Sequence, residues 1–209
     1  MHPAVFKVFE EICCAHKISG AVLEIGAMPD DSTLLNLSAL APAREKIGIN
    51  KSGESRFKDF SILRVDANDM TVFPDQRFDV VLCNAVLEHD RFFWKTLEEI
   101  RRVTRAGGLV VIGTPGYRKL TYEPMLRRLV ARLARFSGHP EGWPLQHSTL
   151  TLGVHNYPRD YYRFSEHAFR EVFFDGMTDV VIRSVLVPPR IIGAGILSVA
   201  QRSVDRKFP

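Results

Sequence analysis

Cysteine is scarce in this chain: three in 209 residues, at positions 13, 14 and 83. Three cannot all pair, and their spacing suits no metal site, so they read as free thiols in a reducing cytoplasm. Long apolar runs are missing too. The longest mild one, Ile191–Ala200, is far shorter than the ~20 residues a spanning helix needs. The first residues, MHPAVFKVFEEICCAHK, break their apolar positions with Lys7, Glu10 and Glu11, which a secretory leader would not do. His139, His147 and His155 are scattered too widely to hold a metal, and none is expected. Internal repeats and low-complexity tracts are absent. What remains is an ordinary hydrophobic content and a length suited to one domain with helices on both faces of a sheet.

Glycine is missing where a dinucleotide site would need it. Val22-Leu23-Glu24-Ile25 reads as a short buried strand, Gly26 breaks it, and Asp30, Asp31 and Ser32 are helix N-cap residues. Leu34, Leu35, Leu37 and Leu40 then follow at helical spacing. Strand, glycine turn and helix make the local geometry of a nucleotide-binding α/β sheet. A pyrophosphate cradle wants G-x-G-x-x-G and bare backbone N–H groups. Here Met28-Pro29-Asp30-Asp31 replace the later glycines. Proline removes a donor, and the carboxylates would repel a diphosphate but not a cation. The turn therefore implies a nucleoside-like ligand without phosphate and argues against a nicotinamide dehydrogenase.

The remaining pattern extends the sheet. Pro3–His16 predicts a first helix, with Val5, Val8, Phe9 and Ile12 as its apolar stripe. Further strands are expected at Lys46–Ile49, ending at Asn50, at Ser61–Val65, ending at Asp66, at Phe78–Cys83 and at Leu109–Gly113. Ser52–Ser55 reads as a polar loop. Phe92–Thr104 predicts a helix with a wet face of Glu98, Glu99, Arg101 and Arg102, stopped by Gly107-Gly108. A helix from Ser165 to Phe174 and strands at Val180–Val187 and Ile196–Ala200 complete the chain. Strands alternating with helices or loops predict a doubly wound, mostly parallel sheet.

These motifs, taken in order, resemble the class I S-adenosylmethionine-dependent methyltransferases of the type 11 kind. The resemblance is carried by VLEIGA at Val22–Ala27, IGIN at Ile47–Asn50, VDANDM at Val65–Met70 and FPDQRFDVVLCNAVLEHD at Phe73–Asp90. EIRRVTRAGGLVVIGTP at Glu99–Pro115 and RDYYRFSEHAFREVF at Arg159–Phe173 continue it. It implies a Rossmann-like α/β fold of about seven strands, the last antiparallel. It also implies S-adenosylmethionine, which carries a sulfonium and no phosphate, as cofactor. By similarity, Glu24, Gly26 and Ala27 would meet its methionine end, and Asn50 its ribose. Asp66 and Ala67 would address its adenine, and Asn84 would lie beneath the methyl group. The family's glycine motif and its carboxylate at the ribose position are replaced here by Met28–Asp31 and Asn50.

Methyl transfer needs positioning and, for a hydroxyl acceptor, removal of a proton. His89, beyond the Phe78–Cys83 strand, is the candidate base; the alternative is that Glu88-His89-Asp90 only caps the next helix. Pro115–Arg163 carries a net charge of +5, leaving −1 for the rest. It reads as a basic insertion or lid. Within it the Arg127–Arg135 stretch looks like an amphipathic basic helix that could cover the site, pair in a homodimer or lie on an anionic membrane. Tyr117, His155, Tyr157, Tyr161 and Arg163 are candidates for the acceptor pocket. Nucleic acid is not expected, because the arginine cluster lacks interleaved aromatics. The sequence thus predicts a methyltransferase for a small molecule or a glycan or lipid precursor, directed at oxygen. The alternative is a catalytically silent relative that serves as a binding module.

Overall fold

A computed structural model of the chain describes residues 1–119, 125, 128–129, 132, 149–154, 159–185 and 189–198. Helix α1 (Pro3–Cys14) opens it, with Pro3 in the first turn and the His2 side chain accepting from the Ala4 amide. Strands β1 (Ala21–Ile25), β2 (Glu45–Asn50), β3 (Ser55–Phe57), β4 (Phe60–Arg64) and β5 (Phe78–Asn84) follow. Helix α2 (Phe93–Val103) leads straight into the long strand β6 (Thr104–Pro115). Two short strands, β7 (Arg118–Lys119) and β8 (Thr149–Leu150), pair antiparallel and bring the two ends of the intervening segment together. Helix α3 (Glu166–Ala168) runs on as one π-turn (Phe169–Phe173), and β9 (Thr178–Val185) and β10 (Arg190–Ile196) close the fold.

The main sheet has the order β3-β4-β2-β1-β5-β6-β10-β9. Its centre, β4 to β6, is parallel, and β10 is antiparallel to both its neighbours. The chain moves outward from β1 to β4, then jumps back across β1 to β5. That reversal leaves a crevice at the carboxyl ends of β1 and β5, where ligands bind in open α/β sheets. Alternate residues of the strands feed two cores. Val22, Val80 and Val111 pack under α1 and the Leu34–Leu40 segment. Leu23, Val81 and Val110 pack against α2 and the aromatic group around Phe169 and Phe173. This is the doubly wound, mostly parallel α/β sheet expected, with β10 as the antiparallel strand.

Several local expectations are corrected. The segment after Ser32 is two 3-10 turns, Leu34–Asn36 and Ser38–Leu40, rather than an α-helix. Carboxylates from elsewhere hold each turn: Glu24 accepts from the Leu34 and Leu35 amides, both at 3.1 Å, and Glu10 accepts from that of Ala39. Leu37, extended between the turns, prevents them merging. The polar loop is shorter than expected because Ser55 already belongs to β3, an edge hairpin turned at Lys58, which takes a left-handed φ of 52°. The last strand is Arg190–Ile196, not Ile196–Ala200. Gly193 and Gly195 broke its apolar pattern, yet a Cβ on Gly193 would sit 2.4 Å from the Phe174 ring. Nor are Glu99, Arg101 and Arg102 simply wetted. Arg101 donates to the Val172 and Phe173 carbonyls at the end of the π-turn. Arg102 bonds Glu99, Asp75 and the Met70 and Phe73 carbonyls, lashing α2 to the loop before β5.

Candidate functional site

The crevice is a cavity of about 880 Å³, within the range of small-molecule sites. Five strands contribute to its lining. Glu24, Ile25, Gly26, Met28 and Thr33 come from β1 and its turn; Ile49, Asn50 and Ser52 close β2; Val65, Ala67 and Asn68 follow β4. Asn84, Ala85, Val86, His89 and Asp90 come from the end of β5, and Arg190 from the start of β10. Met28 lies in the wall, two-fifths exposed, and leaves the cavity open.

The first turn is built to give a ligand no phosphate cradle. Gly26 takes a φ of +82°, the left-handed region suited to glycine, and a Cβ there would also sit 2.4 Å from Val86. Its N–H and that of Ala27 both donate to the Ile49 carbonyl, at 2.9 and 3.1 Å. The donors a diphosphate would need are thus already engaged. The acidic pair contributes differently from its expected role. Asp30 accepts from the Ser32 amide and hydroxyl, Asp31 pairs with Lys58, and neither lines the cavity. The exclusion of phosphate therefore rests on spent amides more than on repulsion.

Glu24 is buried, and its carboxylate accepts from the Thr33 hydroxyl and the Leu34 and Leu35 amides. Burial pushes its pKa up to about 7, while those hydrogen bonds pull it down. Asn50 ties two loops together. Its amide nitrogen donates to the Ala27 carbonyl at 2.8 Å, and its oxygen accepts from the Ser52 amide and hydroxyl. Asp66 stands at the rim, half exposed, paired with Lys51 at 3.0 Å. Its neighbours Ala67 and Asn68 form the wall instead. Ala27 is buried behind the wall against Gly48. Asn84 lines the cavity with a buried amide oxygen that has no hydrogen-bond partner among the described residues. Gly113 makes room for it: a Cβ there would lie 2.6 Å from that oxygen. Ala85 carries a left-handed φ of 58° at the same strand end, a strained position of the kind that clusters at functional sites.

The loop after β5 is held from two sides. Asp90 accepts from the Asn68 amide and the Thr96 hydroxyl, each at 2.7 Å, and from the Phe92 amide at the start of α2. Asp90 thus braces the approach to α2, whose N-cap Phe92 has no side-chain cap, and His89 lines the cavity wall. Opposite, the Tyr161 and Tyr162 amides donate to the Glu88 carbonyl, and the Tyr162 hydroxyl to that of Arg91. The Nδ1 of His89 meets the Arg159 carbonyl. A carbonyl can only accept, so Nδ1 carries the proton, and Nε2 is the acceptor nitrogen of the neutral ring.

Of the expected acceptor residues, Tyr117 is half exposed and outside the cavity wall, as is Tyr161. Arg163 is tied to Asp160 and to the Leu152 and Gly153 carbonyls, which makes it a brace between two segments. His155, Tyr157 and most of Arg127–Arg135 lie outside the described residues; Arg128 and Arg132 are exposed. Sequence reasoning missed Asn68 and Arg190. The first sat in a quoted motif, but Arg190 had no local signal. Among the described residues no helix is long and apolar enough to cross a membrane, and no three metal-binding side chains cluster.

Comparison with known proteins follows the same outline. Residues 20–112 match the family model for a methyltransferase domain. An uncharacterized 37.1 kDa transposon protein of Streptomyces fradiae is 29% identical over 111 residues, covering 49% of this chain; the chain spans about a third of that relative. Among solved structures, a 1,6-didemethyltoxoflavin-N1-methyltransferase from Burkholderia thailandensis, bound to its substrate and S-adenosylhomocysteine, is similar with a TM-score of 0.59. It is 14% identical, covering 93% of this chain and 79% of its own. A phosphoethanolamine N-methyltransferase from Haemonchus contortus, bound to S-adenosylmethionine, scores 0.57 at 12% identity, over 94% and 53% of the two chains. An N-methyltransferase from Bradyrhizobium japonicum scores 0.56 at 11% identity, over 93% and 95%.

Proposed function

From a chain that carries the class I S-adenosylmethionine-dependent methyltransferase fold, we propose that the crevice binds S-adenosylmethionine and that the protein transfers its methyl group to a small molecule or a glycan or lipid precursor, at a hydroxyl. The observation that carries this reading is the cavity itself. It is open, lies at the switch point of the sheet, and combines engaged turn amides with a buried carboxylate and an unpartnered Asn84 oxygen.

The residues present fit the cofactor. Val65 and Ala67 offer an apolar slot for a purine, with Asn68 at its polar edge and Asp66 outside the wall, paired with Lys51. Asn50 and Ser52 present hydroxyl-compatible groups to a ribose. Glu24, Gly26 and Thr33 surround the methionine end, with Ala27 behind them. Asn84 and Ala85 form the floor between donor and acceptor. When bound, the cofactor supplies a carbon already activated by its sulfonium. The protein's part is to align the acceptor and hold a base. His89 takes that role through Nε2, with the Arg159 carbonyl fixing its tautomer. Tyr117, His155, Tyr157, Tyr161 and Arg163 belong, in this reading, to the outer acceptor approach. The basic 115–163 segment serves as a lid, with homodimer or membrane contact through Arg127–Arg135 as its further capacity, in a cytoplasmic setting.

Calorimetry with S-adenosylhomocysteine tests the reading. The wild-type chain binds it in the micromolar range, and Ala67→Trp, which fills the slot, lowers the affinity at least tenfold. His89→Ala leaves that affinity unchanged and lowers turnover by a hundredfold or more, the usual scale for a lost general base. Absence of binding by a folded wild-type chain refutes the cofactor assignment and favours a silent relative.

A further inference from the structure

Arg190 lines the wall, and no step above uses it. It opens β10, paired with Pro115 at the carboxyl end of β6. In the sheet order, β6 and β10 lie beyond β5 on the side away from β1, β2 and β4. At about 4.8 Å per strand, Arg190 lies roughly 10 Å past β5, on the far side of Asn84 from the purine slot. It therefore belongs to the acceptor's half of the cavity.

Its side chain is 12% exposed. Its Nη1 is buried and has no hydrogen-bond partner among the described residues. The nearest opposite charge, Glu88, is 3.7 Å away, too far for a hydrogen bond, and does not line the cavity. Burial lowers the pKa of Arg190 below the ordinary value, although the guanidinium stays charged at neutral pH. A buried guanidinium nitrogen without an acceptor is costly, and an oxyanion would supply one through a charge-assisted hydrogen bond. The surrounding charges favour an oxyanion of low charge. Glu88 is the carboxylate beside Arg190, and Arg163 is a second cation acting on it. Glu88 already offsets Arg190, so a dianionic phosphate would meet about twice the repulsion that a single negative charge does.

We propose that Arg190 anchors a carboxylate on the acceptor, so that the molecule modified here is a small monoanionic hydroxy acid. The inference rests on the methyl-transfer reading for what happens to the anchored molecule, and on Arg190 alone for the anchoring.

Benzoate, benzamide and phenyl phosphate serve as probes, titrated by calorimetry into the full chain with and without saturating S-adenosylhomocysteine. Benzoate binds the loaded protein, Arg190→Gln weakens it at least tenfold, Arg190→Lys recovers part of the loss, and benzamide fails to bind. The affinity for S-adenosylhomocysteine changes less than twofold in these variants. Should Arg190→Gln fail to fold, the double variant Glu88→Gln/Arg190→Met removes both charges of this pair together and carries the test. Equal binding of benzoate and benzamide, an unchanged affinity in Arg190→Gln, or a preference for phenyl phosphate overturns the proposal. Arg190-dependent benzoate binding in a chain that ignores S-adenosylhomocysteine upholds the anion site and removes the cofactor reading.

Discussion

Glu24 is where pH acts on this protein. Its carboxyl, 4% exposed, titrates near 7 because burial outweighs the hydrogen bonds from Thr33, Leu34 and Leu35. The folded value lies above the unfolded one, so between pH ~4.5 and ~7 the native chain holds a proton that the unfolded chain has shed. Stability therefore falls as pH rises through that window and is level on either side, by roughly 3 kcal/mol at most. Urea midpoints measured from pH 4 to 8 check this. Glu24→Gln loses an acceptor and is weaker at low pH, but its profile is flat across the window. A variant that keeps the wild-type slope would assign the titration to another group. The same residue shows what single positions conceal. Its place in VLEIGA marked it for the ligand, but its bonds to the 3-10 turn depend on chain ten residues away, which no local pattern records.

Among the elements, the loop between β5 and α2 is decisive, because it is held by a segment some seventy residues later. Tyr161, Tyr162 and Arg159 bond it at Glu88, Arg91 and His89. The phenol ring of Tyr162 also packs on Phe93 and Phe164, with centroids 5.1 and 5.7 Å away. Tyr162→Phe keeps this packing and deletes one hydrogen bond, a loss of about 1 kcal/mol. Hydrogen exchange at the amides of His89 and Asp90 should quicken severalfold while β1 and β6 stay protected. Uniform exchange in wild type and variant would show that the brace does not govern the loop. Strands were the more legible elements in the sequence. β1, β2, β4 and β5 end within a residue or so of their expected places, since continuous apolar runs with polar ends need little tertiary context. β6 is longer than its apolar core, because pairing at Phe78–Thr104 extends it backward. The Leu34–Leu40 segment and β10 were illegible for opposite reasons. The first has helical spacing but is capped into two pieces by Glu24 and Glu10. The second has glycines that break a pattern to admit aromatic rings from the π-turn.

At the scale of the whole molecule, sheet order explains the site. The reversal at β1 opens the crevice, and β2 and β4 carry one half of its wall while β5 and β10 carry the other. Motif order was enough to foresee this crevice, and six of the eight strands with it. The edge hairpin β3 escaped notice because three residues in a polar setting leave no periodicity. The site was legible in part: the strand-end residues Glu24, Gly26, Asn50, Asn84 and His89 line the cavity, since a strand's last residue marks its own position. Arg190 was not legible, because only the antiparallel return of β10 brings it there. A crystal of the chain grown with S-adenosylhomocysteine tests the central claim most directly. The account predicts density for the nucleoside between Asn50 and Ala67, with the sulfur directed at Asn84. A crevice left to solvent by a chain saturated with the compound, or density bound elsewhere, would contradict it.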